Sequence, residues 1–171
     1  MSVAHTWGST AEERALDFPC DGCLSPVDTV LFRAVDVNAS EAVIFQWLCQ
    51  LRVAPYSYDW IDNLGRRSPR TLTAGLENME AGQRVMTIFE LVSFERDRHL
   101  TLVMRRRRSR KIFGDIAVTY LVRPGRLVVK LVGRCGPWWK REALAWGDLI
   151  MMRKQLLTLK KLMERAGQNT S

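Results

Sequence analysis

Residues 137–166 read PWWKREALAWGDLIMMRKQLLTLKKLMERA, and this stretch decides the fold. Ala145, Leu149, Met152, Leu156, Leu159 and Met163 recur at three- and four-residue steps, the signature of one buried helical face. Pro137 is tolerated in a first turn. Gly147 is the one internal breaker, and Gly167 follows as the stop. At about 1.5 Å per residue the helix is roughly 35–45 Å long, enough to cross a small domain.

Two polar residues interrupt the stripe. On a wheel of about 100° per residue, Asp148 and Gln155 fall inside the apolar arc, while Lys154, Thr158, Lys161 and Arg165 take the opposite face. A carboxylate on a buried face is costly unless it is paired or hydrogen-bonded. Asp148 therefore reads either as the partner of an arginine on a sheet or as a polar group lining a cavity.

Upstream of the helix the chain is rich in strand patterns. Val27–Val37 is a β-branched run. Four more candidates are Arg84–Phe94, Leu100–Arg105, Gly114–Val122 and Arg126–Arg134. In the last three, Leu100/Leu102/Met104, Ile116/Val118/Tyr120/Val122 and Leu127/Val129/Leu131 share one face each. Period-two alternation predicts antiparallel strands with one face buried and one wet. Glu95–Arg98 and Arg123–Arg126 are the turns, the second with Pro-Gly at its centre.

Between the first strand and this meander, Ser40 is a natural N-cap for a helix carrying Val43, Ile44, Trp47, Leu48 and Leu51. Pro55 ends that helix. Asp59 can cap a second short helix, Trp60–Leu64, and residues 72–82 read as loop. Tyr56, Tyr58, Asp59 and Trp60 bring rings with polar tips into one stretch, suited either to an ordinary packed corner or to a pocket wall. Residues 1–26 form an arm with one capping-box pattern at Thr10–Glu13. Residues 27–167 form the single domain, and 168–171 are a disordered tail.

Composition sets the outer bounds. The chain has 171 residues, 47% hydrophobic and 26% charged, as expected of one soluble globular domain. No run of ~18 apolar residues offers a membrane span, and no basic-then-apolar leader opens the chain. A cytoplasmic location is the default expectation. The net charge of +8 draws partly on Arg105–Arg108 with Arg110 and Lys111. That block reads as a solvated hairpin tip or as a patch for anions. It has no interleaved aromatic residues, which weakens a base-stacking role. Cys20-x-x-Cys23 has no second ligand pair beside it, and His5 and His99 are the only histidines. Four-ligand metal binding is not expected, nor is any cofactor, and free thiols are the expected state.

An antiparallel sheet with one apolar face needs a cover, and the C-terminal helix is the one element large enough. The expected fold is α+β. A curved antiparallel sheet wraps around the long helix, with two short helices after the first strand. This order resembles the START/polyketide-cyclase superfamily, the helix-grip fold. It is similar in particular to a bacterial branch of that superfamily with W-G-x-T-x-x-E and P-x-D near its start. Here those are Trp7-Gly8-Ser9-Thr10-Ala11-Glu12-Glu13 and Pro19-Cys20-Asp21. Trp47-Leu48-Cys49-Gln50 and Tyr56-Ser57-Tyr58-Asp59 through Asn63 match two further motifs of that branch. Fold alone does not assign function.

Three functions are open. The first is binding of a hydrophobic small molecule, lipid or polyketide-like, in the cleft between sheet and helix. Its lining would be Tyr56, Tyr58, Asp59, Met104, Tyr120, Trp146, Asp148, Leu149, Met152 and Gln155, with Met151 adding to the thioether content. The second is a cyclase- or aromatase-like enzyme using Asp148, Tyr58, Asp59 or Tyr120 as acid or base. No Ser/His/Asp set or metal site supports a sharper chemistry. The third is an anionic-surface or nucleic-acid binder acting through the arginine block, although nucleic acid is not the expected partner. The expected assembly state is a monomer or weak dimer.

Overall fold

A computed structural model describes residues 2–57 and 67–168. Six strands form one antiparallel sheet: β1 (Thr29–Asp36), β2 (Arg84–Val85), β3 (Phe89–Glu95), β4 (His99–Met104), β5 (Asp115–Arg123) and β6 (Arg126–Arg134). Their order is β1-β6-β5-β4-β3-β2. Among the described residues the α-helices are α1 (Val3–Thr6), α2 (Ala11–Arg14), α3 (Glu41–Cys49), α4 (Arg107–Phe113) and α5 (Trp138–Gln168). This is the α+β arrangement of sheet and long C-terminal helix that the patterning calls for. Of the two short helices expected after β1, α3 is present, capped by the Ser40 hydroxyl. Trp60–Leu64 lies outside the described residues.

The inner face of the sheet carries Leu31 and Val35 of β1, Leu100 and Leu102 of β4, Val118 of β5 and Leu127 of β6, all buried in one core with α3 and α5. The apolar stripe of α5 packs against it, and all six residues of the periodic set are buried. The helix runs on to Gln168 and does not stop at Gly167. Tertiary contacts hold its last turns. Glu164 accepts the backbone N–H of Asn38 at 3.0 Å, and the Lys160 ammonium donates to the Asp36 carbonyl. Propensity at one glycine, about 1 kcal/mol, is outweighed by such fixed contacts.

The other face of the sheet is not wet at its centre. Phe18 and Cys20 from the N-terminal arm pack on Phe32, Ala34, Ala117, Val128 and Val132 in a second apolar layer. Thr101 and Thr119 meet between them at 2.9 Å, and Thr119 accepts the Cys20 backbone N–H at 3.1 Å. Lys130 rests over the rings of Phe18 and Phe32, 5.1 and 5.4 Å from their centroids, and pairs with Asp21. Alternation in these strands thus separates two buried layers, with threonines and a lysine facing the arm.

Two expectations about the meander are corrected. Arg84–Phe94 is not one strand: β2 and β3 are separated by Met86, Thr87 and Ile88, the first two with φ of 46° and 65°. The Met86 N–H leaves the ladder to donate to the Leu51 carbonyl at 3.1 Å. The arginine block is not a hairpin tip either. After β4 the chain winds into α4, and Gly114 at φ 86° returns it to β5.

Candidate functional site

The seam between α5 and the inner sheet face gathers most of the residues singled out in the sequence. Tyr120 of β5 is buried, and its hydroxyl donates to Gln155 Oε1 at 2.7 Å. The Gln155 amide in turn donates to the Pro55 carbonyl at 2.6 Å and lies 3.4 Å from the Met86 sulfur. The Met152 sulfur is 3.8 Å from the Tyr120 oxygen. Burial pushes the Tyr120 hydroxyl far above its ordinary range, with the Asp148 charge adding to the rise. Tyr120 and Gln155 thus form a polar strut linking sheet, helix and the segment after α3. It is walled by two flexible thioethers, which adapt to irregular space.

A second polar contact lies farther toward the start of α5. Arg33 of β1 projects from the inner face and pairs with Asp148 at 2.8 Å. Arg33 also donates to the carbonyls of Phe32 (2.7 Å) and Ala145 (3.2 Å). Burial pushes the Asp148 carboxyl up to about 6, and the Arg33 charge opposes that rise. Of the two readings of Asp148, the sheet-arginine partner is the one the geometry realises. The Arg33 Nε is buried with no acceptor among the described residues.

The remaining candidates are placed as follows. Met104 is buried on the inner face of β4, and Leu149 beside Met152 on α5. Tyr56 is buried, with φ 55° and its ring edge-on to Trp47 at 6.2 Å. Trp146 does not reach the seam: it stands half exposed on the flank of α5. Its neighbour Ala145 takes the buried position, and one residue along a helix turns about 100°. Met151 is only partly buried. Tyr58 and Asp59 lie outside the described residues.

In the sequence Trp47 stands in an apolar stripe and in a motif of the resembled branch, with no site role attached to it. Its indole Nε1–H is buried with no acceptor among the described residues. The motif that contains it also fixes a loop. Gln50 accepts the Thr73 N–H at 2.9 Å and donates to the Thr73 carbonyl at 3.2 Å. The thioether of Met79 meets Cys49 at 3.4 Å.

The N-terminal motif is structural as well. Gly8 has φ 76°, and a Cβ there would stand 2.1 Å from the Ala34 carbonyl oxygen. The Trp7 carbonyl accepts the Ala34 N–H at 3.1 Å. Thr10 and Glu13 close a capping box, and Glu13 also holds Arg126 through both oxygens at 2.6 and 2.9 Å. That arginine hydrogen bond keeps the Glu13 carboxyl below its ordinary value, against a smaller opposing effect of burial.

Two surface concavities lie elsewhere. One of about 410 Å3 sits on the outer face, among Cys23, Val103, Arg105, Arg110, Asp115 and Arg134. Another of about 520 Å3 lies along the β2–β3 edge, among Arg84, Thr87, Phe89, Glu90, Arg105 and Arg106. Neither opens between α5 and the sheet.

No family model matches the chain, and no curated protein matches it either. Solved structures do share its shape. Protein NE0264 from Nitrosomonas europaea aligns with a TM-score of 0.50 at 7% identity, covering 83% of this chain and 99% of its own. Protein MLL2253 from Mesorhizobium loti gives 0.49 at 13% identity, covering 80% and 97%. At 7% identity the likeness to NE0264 concerns the fold alone.

Proposed function

We propose that the chain binds a hydrophobic small molecule, lipid or polyketide-like, that carries at least one hydrogen-bond acceptor. Its place is the interior between sheet and α5, at the side closed by α3 and Tyr56. The observation that carries this reading is Trp47. A buried donor without a partner costs about 1–3 kcal/mol, and native interiors seldom tolerate one. An acceptor on a bound ligand removes that cost. The thioethers of Met79, Met86 and Met152 provide walls that can shift around such a guest. An acid–base enzyme gains less support, although one Asp148 oxygen, like the Trp47 N–H, is buried without a well-formed hydrogen bond among the described residues. Asp148 is occupied by Arg33, and the Tyr120 hydroxyl by Gln155.

Native mass spectrometry of freshly purified protein tests the proposal. The expected result is a stoichiometric extra mass that denaturation releases as an apolar compound with an oxygen acceptor. Trp47→Phe should then weaken its retention by roughly three- to tenfold, the effect of one lost buried hydrogen bond. An empty protein that also fails to take up a fluorescent fatty acid would overturn the reading in favour of a filled core.

A further inference from the structure

Two helices separated by the β5–β6 hairpin emerge side by side at one end of the sheet. Gly114 closes α4 so near the end of β6 that a Cβ on it would stand 2.3 Å from the Arg134 carbonyl oxygen. Asp115 pairs with Arg134 across the ladder, and its carboxylate also takes Arg110 of α4. Four residues past Arg134, α5 begins at Trp138. The C-terminal end of α4 and the N-terminal end of α5 therefore share this end.

Both carry large apolar side chains into solvent. Ile112 is 64% exposed, Phe113 44%, Trp138 69% and Trp139 55%. None of the seven residues of α4 is buried, so this helix is held out from the body of the domain. Isolated exposed apolar residues need no explanation, whereas a group of four at one end does.

The setting of these residues is cationic. Arg106, Arg107, Arg108 and Lys111 are exposed, and no carboxylate among the described residues lies within ion-pair distance of them. Lys140 lies over the Trp139 ring at 5.6 Å. Of the carboxylates at this end, Glu142 of α5 faces His5 at 3.4 Å, and two others are tied to the fold. Asp115 holds two arginines, and Asp28 accepts the backbone N–H groups of Cys135 and Gly136. Positive charge thus exceeds negative beside the protruding apolar groups, through the α4 cations and Lys140.

We propose that this end docks the protein peripherally on an anionic phospholipid bilayer. Ile112, Phe113, Trp138 and Trp139 would enter the interface, and the α4 cations would face the headgroups. A bilayer surface offers both things this end lacks: negative charge and an apolar layer beneath it. Tryptophan suits that boundary because its ring is apolar and its N–H polar. Nucleic acid would answer the charge but provide no place for Ile112. The proposal is independent of whether the interior holds a ligand.

Co-sedimentation with phosphatidylglycerol/phosphatidylcholine vesicles tests it. Binding should occur with these vesicles, be absent with phosphatidylcholine alone, and weaken as salt is added. Arg107→Gln, Arg108→Gln and Lys111→Gln should each reduce affinity roughly fivefold. Trp138→Ser/Trp139→Ser should abolish retention at moderate salt, and Trp138→Phe/Trp139→Phe should keep binding but lose quenching by brominated lipid. Lys161→Glu/Arg165→Glu, exposed near the other end of α5, should bind as the parent does. Absence of binding to anionic vesicles at low salt would overturn the proposal. So would an equal loss from the distant charge reversals. Binding of nucleic acid without vesicle binding, unchanged by the tryptophan substitutions, would overturn it too and reassign the cations.

Discussion

At the scale of single residues, the interior is governed by a few polar groups whose partners come from distant parts of the chain. Arg33 and Asp148 illustrate the cost of breaking such a contact. Removing one member leaves a buried charge uncompensated, so Asp148→Ala should destabilise the protein by about 3–5 kcal/mol. Arg33→Met/Asp148→Leu should restore most of that loss, since apolar replacement of a buried pair is often neutral or stabilising. Urea denaturation of the two variants would measure both. A full loss in the double variant would mean that the pair's hydrogen bonds to Phe32 and Ala145 matter more than its charges. Asp148 and Gln155 were legible in the sequence because each breaks a strict apolar period. Arg33 was not, since it sits in a strand buried on both faces, where alternation does not distinguish the two sides. The open donor on Trp47 was equally hidden, because a sequence shows that a residue can donate but not whether anything accepts.

At the scale of elements, the later part of the N-terminal arm behaves as a clamp on the outer sheet face, while Ala4 and Trp7 pack with the inner core. Its capping box is local and readable, but its anchor is Arg126, 113 residues away. The pH dependence of this anchor has a defined sign. Glu13 ordinarily titrates near 4.5, and its folded value is lower, chiefly through Arg126. Its stabilisation is therefore present above pH 4.5 and is lost as the pH falls through the folded value. Glu13→Gln should lower the urea midpoint at neutral pH, and the difference from the parent should shrink as the pH drops below 4.5. A difference that persists undiminished at low pH would show that the carboxylate charge is not what holds the arm. The α4 segment shows the converse limit. Its arginine run was visible, yet a helix followed by Gly114 could be told from a hairpin tip only by where β5 has to begin against β6.

At the scale of the molecule, one sheet lies between two covers, α5 inside and the arm outside. Phe18→Ala should cost about 3 kcal/mol, as for other large core truncations, measured by thermal or chemical melting. Deleting residues 1–24 should uncover Phe32, Ala117, Val128 and Val132. The shortened chain should bind an apolar dye and self-associate where the full chain does not, as seen by light scattering. A monomeric, dye-silent product would mean that the outer layer contributes little. The sequence by itself determined the strand alternation, the buried stripe of α5, the Ser40 cap and the Pro-Gly turn. Each depends on neighbours a few residues apart, and local periodicity records them. Only the tertiary structure decided which sheet faces are covered, which arginine meets Asp148, where Trp146 points and which segments share the basic apolar end. Those outcomes depend on packing between groups from about twenty to more than a hundred residues apart, and no local pattern encodes them.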